Sequence, residues 1–363
     1  MAHRRKSLGR KNNIKRTTMK RGGASSSSKK RHRSPSHSNE SSANSRKIDA
    51  LTAQLKRDTE ETYKNFINEF MKKLPNTIQQ LDEGDIPSKY NNGVVWFPPS
   101  GNGQVYISDK KVVKIINIGS QIHKVGIDPQ KTVSLLNSEL KYYHETTKIC
   151  PNSFCKLIGY YYNPYYLILK IVMENCGENL EVVYKSISND NRLQKVKTHI
   201  KDIVDAVKCL HTKGFAHRDI KPRNLVLTSS NNSSEKVTFV DAGTLCKQTD
   251  ETIYSGGTPF YHAPELVGQD YTIDKSTDLF ATDVFALGVT FLFMIMPPDG
   301  LKNYLFPTAY GSTFSDNYKG LRTSYKNTIK THLEFVFGVN IQLEHFFGEP
   351  NQRLRLKDTT FSL

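Results

Sequence analysis

Long apolar runs are missing from this chain. The longest, Ala286 to Met296, has 11 residues, and a helix that crosses a bilayer needs about 20, so a membrane-spanning helix is not expected. The N-terminus lacks the apolar segment of a secretory leader. Cysteine is scarce as well: Cys150, Cys155, Cys176, Cys209 and Cys246 are scattered, odd in number and form no CxxC pair. That pattern argues against a zinc site and against a disulfide framework, and predicts free thiols in a reducing compartment. No internal repeat is visible. Acid is nearly absent from residues 1–47, which carry 15 Lys/Arg against the single Glu40. The remaining 316 residues hold 36 basic and 34 acidic side chains. Nearly all of the +16 charge therefore belongs to one end, and the high pI says nothing about the rest.

What is present divides the chain into three parts. Residues 1–47 contain 11 serines and almost no apolar side chain. Such a segment cannot bury enough surface to offset its ordering entropy, so a disordered basic tail is expected. From Ile48 the composition changes. Ile48, Leu51, Leu55, Tyr63, Phe66, Ile67, Phe70 and Met71 recur at helical spacing until Pro75, which predicts an amphipathic helix. Its stripe is expected to pack on the domain behind it, with a dimer or partner helix as the alternative. Residues 76–92 read as a connector, so that 48–92 form a helical extension.

The third part, residues 93–363, begins rich in strands. Val105-Tyr-Ile-Ser and Lys111-Val-Val-Lys-Ile flank Asp109-Lys110, a hairpin turn. Residues 129–147 read as a helix, and Lys156–Tyr162 and Tyr165–Met173 as strands. Beyond residue 190 the pattern is mostly helical, with short strands at Asn224–Thr228 and Lys236–Val240. Ser229 to Glu235 reads as an exposed loop. The expected class is α+β, in two lobes with a cleft between them.

The chemistry is concentrated in His217-Arg-Asp-Ile-Lys-Pro-Arg-Asn224. This resembles the catalytic loop H-R-D-x-K-x-x-N of the eukaryotic-type protein kinases. Phosphoryl transfer asks a protein mainly to position groups and neutralise charge. The resemblance implies that Asp219 orients a substrate hydroxyl and accepts its proton, that Lys221 sits beside the transferring phosphate, and that Asn224 holds a metal ion. Phe239-Val-Asp-Ala-Gly243 resembles the following Asp-Phe-Gly motif, with Asp241 as the second metal ligand and Gly243 allowing a turn. Ala242 departs from the family, and Tyr142 or Tyr143 is expected to fill the space of the missing phenylalanine. Gly257-Thr-Pro-Phe-Tyr-His-Ala-Pro-Glu265 resembles the close of the activation segment in Ser/Thr kinases. The resemblance implies that Thr258 touches Asp219 and Lys221, that Glu265 pairs with Arg353, and that Asp283 braces the catalytic loop.

In the first lobe Val113-Lys114 resembles the phosphate-binding lysine. Its ion-pair partner is expected on the 129–147 helix, with Glu139 preferred to Glu145. The glycine loop is degraded. Gly103-Gln-Val105 fits its end, which places Pro98 and Ser100 at the first two glycines, while Gly101 and Gly103 offer a shifted alternative; such a loop brings backbone N–H groups to phosphates. Met173-Glu174-Asn175-Cys176 resembles the hinge, with the Glu174 carbonyl and Cys176 amide at the adenine edge. The domain reading is 93–176 for the strand-rich lobe and hinge, and 177–363 for the helical lobe.

The resemblance implies an ATP- and Mg²⁺-dependent Ser/Thr protein kinase, with Mn²⁺ as an alternative ion and protein substrates. A pseudokinase or scaffold, motivated by Ala242 and the glycine loop, is one rival. A nucleic-acid-associated protein with a weakly active kinase domain is another. Arg223 stands where kinases preferring basic substrates place Glu, which favours acidic or neutral flanks. Arg218 implies a phosphate anchor, with Thr252 and Ser255 as candidate phosphosites. Arg4-Arg5-Lys6 and Lys29-Lys30-Arg31-His32-Arg33 read as nuclear-import or nucleic-acid patches, with a solvated extension as the alternative. An intracellular protein, nuclear or cytoplasmic, is expected. The compact hairpin and the short end after Arg353 resemble kinases of large DNA viruses, so a host cell or virion enters the same expectation. The oligomeric state is not legible.

Overall fold

The computed structural model describes residues 37–86, 94–95, 104–119, 129–230, 233–269, 271–296, 319, 323–337 and 342–358. The chain divides between Lys56 and Arg57 into two compact units. Helix α1 (His37–Lys72) begins 11 residues before the expected start at Ile48. Once a helix is nucleated, each added residue brings one more backbone hydrogen bond, and Glu40, Ala43, Arg46 and Lys47 are good formers. Residues 1–36 of the expected tail lie outside the described residues.

In the unit from Arg57 onward, α1 buries Tyr63 and Ile67, while Phe66 faces outward at 44% exposure. Residues 76–86 are more than a connector. Ile78, Leu81 and Ile86 are buried, and Gln80 pairs in parallel with Tyr160. Residues 57–86 thus belong to the same compact unit as the sheet.

Among the described residues the sheet has five strands: β1 (Val94–Val95), β2 (Gln104–Ile107), β3 (Lys111–Asn117), β4 (Leu157–Asn163) and β5 (Ile168–Glu174), in the order β1-β2-β3-β5-β4. The β2–β3 hairpin turns at Asp109-Lys110 with Val105 opposite Lys114. β-branched residues on alternate positions put Val113 on one face with Leu81 and Ile86, and Ile116 into the main core. One helical stretch packs on the sheet: α2 (Pro129–Leu136), a π-helical turn (Asn137–Tyr142) and α3 (Tyr143–Ile149).

The second lobe is mainly helical. It contains α4 (Leu180–Ser186), α5 (Asn189–Thr212), α6 (Leu279–Ile295), α7 (Thr323–Phe337) and α8 (Glu344–Phe347). Helix α6 is apolar nearly all round and almost wholly buried, as such a helix must be. Small strands complete the lobe: β6 (Glu178–Asn179) beside the pair β8 (Leu225–Ser230) and β9 (Ser233–Phe239), and β7 (Phe215–Ala216) beside β10 (Cys246–Lys247). The expected loop at 229–235 is largely ladder, since Ser230 pairs with Ser233 after a register shift. The α+β, two-lobed class stands.

The expectation of free thiols is overturned. Cys150 is bonded to Cys209 and Cys155 to Cys176, across 59 and 21 residues, with Cα–Cα distances of 6.0 and 6.1 Å. These lie within bridging range. The pairs form only when the end of α3 packs on α5 and the hinge closes over the segment before β4, so their spacing carried no motif. Cys246 stays a buried thiol. Among the described residues no helix is long and apolar enough to cross a membrane.

Candidate functional site

Strand β3 carries Lys114 on its inner face, 12% exposed. Its ammonium donates to Glu139 Oε1 and, at 2.9 Å, to Asp241 Oδ1. Glu139 sits on the π-helical turn. Turns of this kind recur at functional positions because they re-aim side chains within a helix. Glu145, the alternative partner, pairs with Lys247 instead, at 3.0 Å. Burial works against the lysine charge, but Asp241 and Glu139 together hold its pKa above the usual value. Burial likewise opposes the Asp241 charge, yet Lys114 and the Gly243 amide hold that carboxyl well below the carboxylate range. Burial raises the pKa of Glu139, against the pull of Lys114. Gly243 is needed for a reason the sequence did not show: its φ is not positive, and an added Cβ would lie 2.6 Å from Glu139 Oε1.

Helix α6 presents Asp283 to the catalytic loop. Its carboxylate accepts from the His217 and Arg218 amides at 2.7 Å each, and His211 Nε2 lies 3.0 Å away. Arg218 is held at φ +66°, a conformation costly for a side chain of its size. Two residues on, the Asp219 carboxylate accepts from Lys221 Nζ at 2.6 Å, Thr258 Oγ1 at 2.7 Å and Asn224 Nδ2 at 2.9 Å. Lys221 also reaches Thr258 Oγ1 at 2.7 Å. The Val240 amide donates to the Asn224 carbonyl at 3.1 Å, which sets Asp241 beside the loop. Lys114, Asp219, Asn224 and Asp241 are therefore brought to one place.

Asn224 and Asp241 supply one amide and one carboxylate oxygen set. Among the described residues no group of three or more His, Cys, Asp or Glu could cage a metal ion. A donor set this small suits a hard divalent cation that completes its shell with water and phosphate oxygens.

The remaining expected residues fall as follows. Val105 lies on β2 opposite Lys114. Ser100, Gly101 and Gly103, with Pro98, lie outside the described residues. Met173 is buried, and Tyr143 Oη lies 3.9 Å from its sulfur. The Glu174 amide donates to Lys156 O at 3.0 Å, and Cys176 is tied to Cys155 by the disulfide. Arg353 and Glu265 form a bidentate pair. Arg218 donates to the carbonyls of Thr244, at 3.2 Å, and Tyr254. Thr252 is exposed, and Ser255 Oγ donates to Tyr271 O at 3.2 Å.

Tyr142 and Tyr143 are both buried in the main core, and Tyr143 lies on the side of the catalytic loop. Its ring meets Phe154 edge-on at 5.6 Å; Phe154 stacks on His217 at 6.1 Å, and His217 lies 4.3 Å from Phe239. Ala242 is buried in the same core. Tyr142 instead meets Phe215 and donates to Asp250 at 2.7 Å. Three contacts between the helix and the activation segment were not foreseen: Tyr142–Asp250, Glu145–Lys247 and Ser138 Oγ to Leu245 O at 2.6 Å. No local pattern marks them, because each joins residues about 100 apart in sequence. Arg223, on the catalytic loop, forms a bidentate pair with Glu181 at 2.7 and 3.1 Å, and Lys185 adds a second cation at 2.7 Å.

Residues 101–334 match the family model of the protein kinase domain. The chain is 32% identical over 200 residues to a probable serine/threonine-protein kinase, fhkC, of Dictyostelium discoideum, an alignment covering 50% of this chain and 31% of the relative. It is 27% identical over 247 residues to the MAP kinase kinase skh1/pek1 of Schizosaccharomyces pombe, covering 62% of each. It is 37% identical over 102 residues to the serine/threonine-protein kinase ssp1 of the same yeast, covering 27% of this chain and 16% of that one. The chain thus spans less than two thirds of the length of these relatives.

Proposed function

The chain belongs to the protein kinase family, in its serine/threonine branch, and from that premise we propose that it transfers the γ-phosphoryl group of ATP to serine or threonine hydroxyls of proteins. The observation that carries the reading is the Asp219 carboxylate, bonded by Lys221, Thr258 and Asn224 and one backbone link from the Lys114–Asp241 pair.

Asp219 orients the acceptor hydroxyl and takes its proton as the oxygen attacks the γ-phosphorus. The bond to the β–γ bridging oxygen breaks and ADP leaves. Lys221, 2.6 Å from Asp219, offsets charge on the transferring group. Lys114 binds the α- and β-phosphates, positioned by Glu139. Asn224 and Asp241 would hold Mg²⁺, or Mn²⁺ in its place, which supplies neutralisation of phosphate charge. Met173, Glu174 and Cys176 would border the adenine.

The pair formed by Arg223 and Lys185 on the one carboxylate of Glu181 supports a net positive flank beside the acceptor. Acidic or neutral substrate segments fit it. For residues 1–47, their charge supports association with nucleic acid or a nuclear-import receptor, and with that a nuclear or cytoplasmic location. The decisive test is transfer from Mg²⁺/ATP to a Ser/Thr peptide library by the full chain and by Asp219→Asn. Transfer by the first and loss of at least about 100-fold in the second is expected. Equal, background-level transfer by both would favour a pseudokinase.

A further inference from the structure

The segment between α1 and the sheet touches both elements that carry the Lys114–Glu139 pair. Leu81 N donates to Tyr160 O at 2.8 Å, and Tyr160 N donates to Gln79 O at 3.0 Å. These bonds add a short parallel strand to β4, the edge of the sheet, as an edge strand invites. The approach is so close that a Cβ on Gly159 would lie 2.5 Å from Gln79 O and 3.0 Å from Leu81 Cγ. From that edge the segment divides. Leu81 and Ile86 cover the outer face of β3 and β5, in one cluster with Val113 and Val172, the residue next to Lys114 and its cross-strand neighbour. On the other side Thr77 Oγ1 lies 3.0 Å from His144 Nε2 on α3. Ile78 joins the core that also holds Leu136, Leu140 and Tyr143 from the Glu139 helix. Glu83 adds an ion pair to Lys170 of β5 at 3.7 Å.

We propose that residues 77–86 form a positioning strap, which fixes β3 against the helical stretch 129–149 and thereby sets Lys114 against Glu139 for nucleotide binding. This rests on the phosphotransfer reading. None of the strap residues meets substrate. They act through Lys114 and Glu139, from the outside of the sheet and the far end of the helix. A loosened strap lets the two elements shift relative to each other. Displacements of about 1 Å at such a pair can cost up to about 100-fold in rate.

The test uses the full chain. Gly159→Ala places a methyl group against the Gln79 carbonyl. Thr77→Val removes the hydroxyl at constant shape, and Thr77→Ser restores it. Val336→Ala, in the core of the second lobe, serves as a variant of similar stability loss away from the strap. The readouts are KM for ATP, KM for peptide, kcat, and hydrogen exchange at the Leu81 and Tyr160 amides. Gly159→Ala is expected to speed exchange at both amides and to raise KM for ATP about tenfold, with KM for peptide unchanged. Thr77→Val is expected to shift KM for ATP in the same direction, and Thr77→Ser to return it to the parent value. Val336→Ala is expected to leave it alone.

The proposal is overturned if Gly159→Ala frees the two amides without changing KM for ATP or kcat. It is also overturned if Val336→Ala raises KM for ATP as much as the strap variants do. If Gly159→Ala does not fold or keeps its amides protected, the Thr77 pair decides: a Thr77→Val enzyme with parental KM and kcat ends the idea. Failure of the kinase reading looks different, because the parent chain and Asp219→Asn would then be equally inactive.

Discussion

Removing the guanidinium of Arg353 should cost more stability than any surface change in the second lobe. Its side chain is 1% exposed and donates to both oxygens of Glu265, to Ala281 O at 3.0 Å and to Gly348 O at 2.8 Å. Arg353→Met keeps volume but deletes all four bonds. It strands the Glu265 carboxylate, 21% exposed, and two main-chain carbonyls. Breaking one partner of a buried ion pair costs about 3–5 kcal/mol. At roughly 2–4 °C per kcal/mol for a domain of this size, the melting temperature should fall by about 10 °C. The double variant Arg353→Met with Glu265→Leu removes the stranded charge but not the two unpaired carbonyls, so it should recover only part of the loss. Thermal unfolding followed by circular dichroism measures all three. A single-variant shift below about 2 °C would refute the reasoning, since it would mean the pair is solvated and worth no more than a surface ion pair.

Three further outcomes follow from the same geometry. Arg223→Glu replaces a cation beside Glu181 with an anion, so the ratio of kcat/KM for Asp-flanked over Arg-flanked peptides should fall by about tenfold or more; an unchanged ratio in paired peptide assays would detach Arg223 from specificity. The double variant Thr252→Ala and Ser255→Ala should keep transfer within about threefold of the parent, because Arg218, Tyr142 and Lys247 already tie the segment down through Thr244, Tyr254, Asp250 and Glu145; loss of activity with no phosphate on the parent segment, read by mass spectrometry, would contradict it. Burial lowers the pKa of His217 below 6.5. The unfolded chain therefore takes up the proton first, and stability present above pH 6.5 is lost as pH falls below it, by up to about 1.4 kcal/mol per pH unit from this one group. Urea unfolding at stepped pH should show a smaller acid slope in His217→Phe.

The second lobe was the more legible in sequence, and the reason is physical. Its functional groups lie within a few residues of one another, from His217 to Asn224 and from Gly257 to Glu265, so that local spacing already determines which oxygen meets which nitrogen. Asp283 and Arg353 were legible through the motifs around them. In the first lobe one strand and one helix supply the chemistry, and the partner of Lys114 is decided by helix phase. Glu139 was separable from Glu145 by its distance from Pro151, but the π-helical turn that aims it has no residue signature. The cysteines were misread because pairing depends on where α3, α5 and the hinge come to rest, and a spacing of 21 or 59 residues records none of that.

The same distinction explains why residues 76–86 passed for a connector. Ile78, Leu81 and Ile86 are too few and too irregularly spaced to read as a strand or a helix, since they do not bury one continuous face. Ile78 enters the core shared with the Glu139 helix, and Leu81 and Ile86 the cluster on the opposite face of the sheet. A segment that turns around a sheet edge must change faces between its apolar residues, which breaks both periodicities at once. The readable trace was on the other strand: Gly159 interrupts the run Leu157–Tyr162, and a glycine inside a strand pattern marks close approach of another backbone. Here that backbone is Gln79, whose carbonyl occupies the space a side chain would take. Irregular apolar spacing in one segment and an interior glycine in a nearby edge strand are thus two signs of one contact, and each is ambiguous without the other.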